Sequence, residues 1–141
     1  MIKVVGLLVG FFLASSVMAD GGDYRCMKSV GLKNPIKLRF AFPPDNTGIG
    51  NVTYQRGSGS IKVKMLNQKE SNRGKGRPSE FETHWSEINS DGSGGTYIMV
   101  TQGARIYDFK YVRKKDGKIF NFEEDLDAFT DNGCEWSDLP P

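Results

Sequence analysis

This chain is poor in the residues that most often carry chemistry. Its 141 residues include one histidine, His84, and two cysteines, Cys26 and Cys134. Acyl transfer by a serine nucleophile needs an imidazole to take and return a proton beside it. No serine here sits in a nucleophile-elbow pattern. His84 also falls out of step with the alternating Phe81, Thr83 and Trp85, which predicts a solvent-facing ring. The cysteines stand in "YRC" and "NGCEW". Neither stretch supplies the third and fourth ligands that a metal site requires. "DLDAFTDNG", Asp125 to Gly133, places Asp at alternate positions but lacks the glycine and closing glutamate of a calcium loop. No segment holds a helical period over three turns. These absences point away from an enzyme, a metal or a cofactor, and toward a β-rich protein that works by binding.

The N-terminus has an order of its own. Lys3 precedes the apolar run Val4 to Leu13, and "ASSVMA" follows with small residues at its end. This is the layout of a secretory signal peptide, with cleavage expected after Ala19. The run is shorter than the roughly 20 residues of a membrane span, so no span is expected in the mature form. The remaining residues 20–141 form a length suited to a single domain. Removing Lys3 from the 19 basic side chains leaves 18 against 17 acids, a net charge of +1. A near-neutral chain gives no global argument for nucleic acid. Export favours a disulfide, and with two cysteines Cys26 and Cys134 are its only possible ends. The expected location is periplasmic or secreted.

Charge is segregated along the chain. Lys62 to Arg77 holds six bases against Glu70 alone, and Glu123 to Asp138 holds seven acids and no base. "NQKESNRGKGRPS", Asn67 to Ser79, has no apolar residue and reads as a solvated loop. The segment Glu123 to Asn132 reads as an acidic loop or a single helical turn.

Strand signals fill the rest. "IKLRFAF" puts Ile36, Leu38, Phe40 and Phe42 on one face. "NVTYQR" and "SIKVKML" form a hairpin across "GSG", with Ile61, Val63 and Met65 inward. "EFETHWSEI" and "TYIMVTQ" continue the alternation. "RIYDFKYVR" places Tyr107, Phe109 and Tyr111 on one face and Ile106, Asp108, Lys110 and Val112 on the other. Asp116-Gly117 is a hairpin signal. As a two-residue turn it would set Tyr111 opposite Phe122 and Arg113 opposite Phe120. With a first strand around "DYRCM" there are eight strands on short connections. Closure removes their edges. The expected fold is all-β: a small antiparallel eight-stranded meander barrel, or a barrel-like sandwich, with one disulfide. Its aromatics suffice to fill the interior. An eight-stranded barrel can instead hold a small apolar ligand, and a purely structural or interaction role is a further alternative.

One short constellation is more specific. "SGGTY", Ser93 to Tyr97, is an S-G-x-x-Y loop followed by aromatic strands and a lysine-rich turn ending in Gly117. With "YRC" near the mature N-terminus and "NGCEW" near the C-terminus, the chain resembles the exported bacterial inhibitors of C-type lysozyme. The resemblance implies an eight-stranded barrel whose loops enter the cleft of a lysozyme-type glycoside hydrolase. It assigns the serine role to Ser93 and a supporting aromatic to Tyr97. The lysine role falls on Lys115 or, less well, on Lys114, with Asp116 standing between Lys115 and Gly117.

Overall fold

The computed structural model describes residues 23–89, 92 and 94–136. The signal-peptide segment 1–19 and Ser93 lie outside the described residues. Eight strands close into an antiparallel meander barrel: β1 (Tyr24–Ser29), β2 (Lys37–Ala41), β3 (Ile49–Tyr54), β4 (Ser60–Ser71), β5 (Glu80–Glu87), β6 (Thr96–Gln102), β7 (Arg105–Val112) and β8 (Ile119–Glu124). Two short strands, β9 (Phe129–Thr130) and β10 (Gly133–Cys134), form a separate hairpin. Pairing of Met27 with Glu124 and of Ser29 with Phe122 shuts the barrel between β1 and β8. Among the described residues no helix is long and apolar enough to cross a membrane.

The period-2 pattern decides which side chains face inward. Every strand sends at least one residue to the core: Met27, Leu38 and Phe40, Val52, Val63, Trp85, Tyr97 and Met99, Phe109, and Phe122. Ring centroids of Phe40 lie 5.2 Å from Trp85, 6.3 Å from Tyr97 and 5.7 Å from Phe109, so aromatic contacts cross the interior from β2 to β5, β6 and β7. Edge-on rings at these separations pack well and leave the barrel axis filled by side chains.

Three sequence expectations are corrected. First, β4 runs to Ser71, so only Asn72 to Ser79 is loop. Backbone pairing of residues 67–71 with 80–84 extends a polar hairpin arm that no hydrophobic period announces. Second, Tyr107 is 54% exposed, while Ile106 packs against the core. A register shift opposite Val100 and Thr101 skips Tyr107, and one extra residue exchanges inward for outward. Third, Tyr111 pairs with Phe120 and Phe109 with Phe122, a shift of two from the two-residue turn. The loop holds four residues, 114–117, between Arg113 and Lys118, whose backbones bond at 2.9 Å.

Cys26 and Cys134 form the expected disulfide, 108 residues apart in sequence. It fastens the β9–β10 hairpin to the outside of β1. The Tyr24 hydroxyl donates to the Thr130 carbonyl, the Tyr24 and Phe129 rings lie 5.1 Å apart, and the Asp125 amide donates to the Cys26 carbonyl at 2.7 Å. Asp125 to Ala128 form a single turn, closed by the Ala128 amide on the Asp125 carbonyl at 3.2 Å, while β8 runs to Glu124 and residues 129–134 form a pinned hairpin that composition did not announce.

Candidate binding end of the barrel

Strand direction gathers four connections at one end: residues 30–36, 55–59, 88–95 and 113–118. Two of them carry the residues singled out in the sequence. The 113–118 loop is held by one carboxylate. Arg113 donates to both Asp116 oxygens, at 2.9 and 2.6 Å, and the Lys118 amide donates to Asp116 Oδ1 at 3.1 Å. These bonds hold the Asp116 carboxyl well below the usual carboxylate range, with the Arg113 bond as the main cause. Gly117, at φ 73°, closes the loop in the left-handed region.

The two loops touch. Lys114 Nζ donates to the Gly92 carbonyl at 2.5 Å. Lys114 is thus spent on joining the loops, while neighbouring Lys115 is exposed. Their contact places the 113–118 turn and the residues flanking Ser93 at the same end of the barrel. Gly95 is glycine for want of space: a Cβ there would lie 2.6 Å from two Tyr111 ring carbons and would strike the Val112 carbonyl.

Beneath this end lies a hydrogen-bonded cluster that sequence reading missed. The Tyr97 hydroxyl donates to Glu87 Oε1 at 2.9 Å and lies 2.5 Å from the Tyr54 hydroxyl. Tyr97 itself is fully buried, so it supports the loops from below and offers no contact surface. Burial pushes the Tyr97 and Tyr54 hydroxyls well above the ordinary tyrosine range; the charge on Glu87 adds to this. Burial also raises Tyr111, again with Glu87 as a second cause. The parity of Tyr97 with Met99 was a signal for its burial. Nothing local in the sequence signalled that Tyr54 and Glu87 would meet it.

The rim of the same end is partly apolar. Val30, Leu32 and Ile119 are each exposed and line one shallow depression with Lys118. An open groove of about 480 Å³ borders the Lys114 side, along the outer face of β5, β6 and β7, and includes His84, Ser86 and Ile98. His84 faces outward as its parity predicts, with Nε2 3.7 Å from Glu82 Oε2. Ser86 Oγ contacts the Glu87 carbonyl at 3.5 Å. Among the described residues no three histidine, cysteine or acidic side chains gather as a metal site. Comparison with protein-family models, curated proteins and solved structures finds no match to this chain.

Proposed function

We propose that this chain is an exported, non-catalytic binding protein whose 88–95 and 113–118 loops enter the carboxylate-lined cleft of a lysozyme-type glycoside hydrolase. The observation that carries this reading is the Lys114–Gly92 bond, which ties the two loops into one projecting unit. Lys115 extends from that unit and carries the ammonium that meets a cleft carboxylate. Ser93, outside the described residues, supplies a hydroxyl to the second carboxylate. Rigidity matters because ordering a loop on binding consumes affinity. The Arg113–Asp116 bonds and the buried Tyr97 beneath supply it before encounter. The exposed aliphatics Val30, Leu32 and Ile119 form an apolar rim that excludes water around the charged contact. The disulfide accords with export. The carrier alternative gains no support from an interior crossed by aromatic contacts.

The direct test titrates purified, oxidised protein into a C-type lysozyme. The reading expects stoichiometric loss of cell-wall hydrolysis and a complex visible by calorimetry. Full activity at a large molar excess, with no heat of binding, rejects it.

A further inference from the structure

A run of nearly unopposed positive charge spans β2 to β4. From Val30 to Lys69 the chain holds seven bases and a single acid, Asp45. The strands sort these residues. Leu38, Phe40, Val52 and Val63 are fully buried, so their neighbours Lys37, Arg39, Asn51, Thr53, Lys62 and Lys64 point outward. Register places Thr53 between Arg39 and Ser60, and Asn51 beside Lys62. The outer face of β2, β3 and β4 therefore carries cations at both sides and neutral hydrogen-bonding groups along the middle. Asp45 lies in the β2–β3 connection, where it bonds to Thr47. In the sheet, Glu87 on β5 lies opposite Val63 and accepts from Tyr97, Glu82 lies opposite Lys69 near His84, Glu70 stands farther along β4, and Glu123 pairs with Lys28. Among the described residues Arg39, Lys62 and Lys64 have no carboxylate partner; Arg39 lies over the Tyr24 ring at 5.8 Å.

We propose that the outer face of β2–β3–β4 binds a linear acidic glycan. Lys62 and Lys64 stand about 7 Å apart along their strand, and Arg39, in register with Ser60 two strands away, lies about 12 Å from Lys62 and about 17 Å from Lys64 by strand geometry. Such spacing suits anionic groups repeated along an extended chain. Asn51, Thr53 and Ser60 offer amide and hydroxyl groups to sugar hydroxyls between them. The one ring bordering the face, Tyr24 on β1, packs against Arg39 and Phe129, so the face lacks the row of rings on which single-stranded nucleic acid stacks. Its one large exposed apolar side chain is Leu66, 59% exposed at the bulge of β4, and a single such residue gives little apolar area for insertion beneath lipid headgroups. Ile49 at its margin is half-buried. The attraction is between exposed charges and is weakened by salt.

The test uses the full oxidised chain and two probes, heparin and polygalacturonate, by calorimetry at low ionic strength. The combined substitution Arg39→Thr, Lys62→Thr, Lys64→Thr should weaken binding at least about tenfold, the sum of several exposed charge contacts. The charge-matched control Arg73→Thr, Lys75→Thr, Arg77→Thr in the 72–79 loop should change it less than about threefold. Amide shifts in the unsubstituted protein should map to β2–β4, which tests the proposal even where the variant folds poorly. Binding to neither probe, equal losses in both variants, or shifts centred elsewhere overturn it. So does tighter binding to DNA or to phosphatidylglycerol vesicles than to the glycans. Self-association through the acidic C-terminal hairpin, competing at this face in sedimentation, overturns it as well.

Discussion

The Tyr97 hydroxyl lies 2.5 Å from that of Tyr54, at the bottom of the barrel end where the 88–95 and 113–118 loops meet. Two phenols in that arrangement, with Glu87 2.9 Å from Tyr97, cannot readily ionise. Tyr54, Tyr97 and Tyr111 are all shifted upward, with burial as the main cause. Above about pH 10 the unfolded chain releases these protons while the folded chain keeps them. Their contribution to stability is therefore complete below about pH 10 and declines as pH rises beyond it. Urea midpoints should be level approaching pH 10 and fall above it, with three tyrosines ionising late in an absorbance titration. A midpoint that stays flat to pH 11 contradicts the cluster.

Removing one hydroxyl from this cluster tests its energetics. Tyr97→Phe leaves the ring in place but strips Glu87 of a donor and Tyr54 of its partner. An unpaired buried polar group costs about 1–3 kcal/mol. The expected loss lies in that range, read from urea unfolding. Tyr54→Phe should cost less, because Tyr97 keeps Glu87 as its acceptor. Equal and negligible effects would mean that water replaces both bonds.

Much of the barrel was legible because its strands alternate. Leu38 with Phe40, Ile61 with Val63, and Thr83 with Trp85 each announced an inward face, and the two cysteines had no other partner. What escaped reading depends on partner strands. Tyr107 and Ile106 exchange sides because the register shift sits opposite Val100, a feature of pairing and not of the local pattern. The arm at 67–71 is held by backbone bonds to 80–84, so its polar side chains carry no trace of it. The Asp116 turn is four residues long because the Asp116 side chain bonds to Arg113 and to the Lys118 amide, contacts that a dipeptide signal does not encode. At the candidate site, the resemblance favoured Lys115 over Lys114 only by its place next to Asp116-Gly117. The bond from Lys114 to the Gly92 carbonyl is a contact between loops that the sequence does not encode.

Gly95 offers a steric test of the loop platform. A methyl group there meets the Val112 carbonyl and the Tyr111 ring inside van der Waals distance. Backbone cannot yield as a flexible side chain does, and overpacking of this kind costs about 1–3 kcal/mol. Gly95→Ala should lower the urea midpoint accordingly and disturb Tyr111 signals in NMR spectra. A variant as stable as the parent would show that β6 and β7 can part at this end without penalty.

The disulfide closes a loop of 108 residues in sequence separation. Loss of such a bridge typically costs about 2–5 kcal/mol. The double substitution Cys26→Ala, Cys134→Ala should destabilise the barrel within that range. Protection against amide exchange should be lost first at Phe129 to Cys134, whose pairing has two residues per strand. If protection falls uniformly, the hairpin and barrel unfold as one unit.

On the proposed reading, the two adjacent lysines should separate in binding to a lysozyme-type hydrolase. Lys115 is exposed and reaches outward, so Lys115→Ala should weaken the complex by about 2 kcal/mol, the lower end for truncating a desolvated charge pair. The loss should appear mainly in the dissociation rate, because a contact made only in the docked state resists separation. Ser93→Ala should cost about 1 kcal/mol, a neutral hydrogen bond. Lys114→Ala removes the donor that holds the Gly92 carbonyl. Its loss should appear instead as a slower association rate and as faster amide exchange at Gly92 and Gly94, since the loops must then be ordered during encounter. Melting temperatures of the Lys115 and Ser93 variants should match the parent. If Lys114→Ala and Lys115→Ala behave alike in both rate constants, the lysines act only through charge, and the division of labour drawn from the Gly92 contact fails.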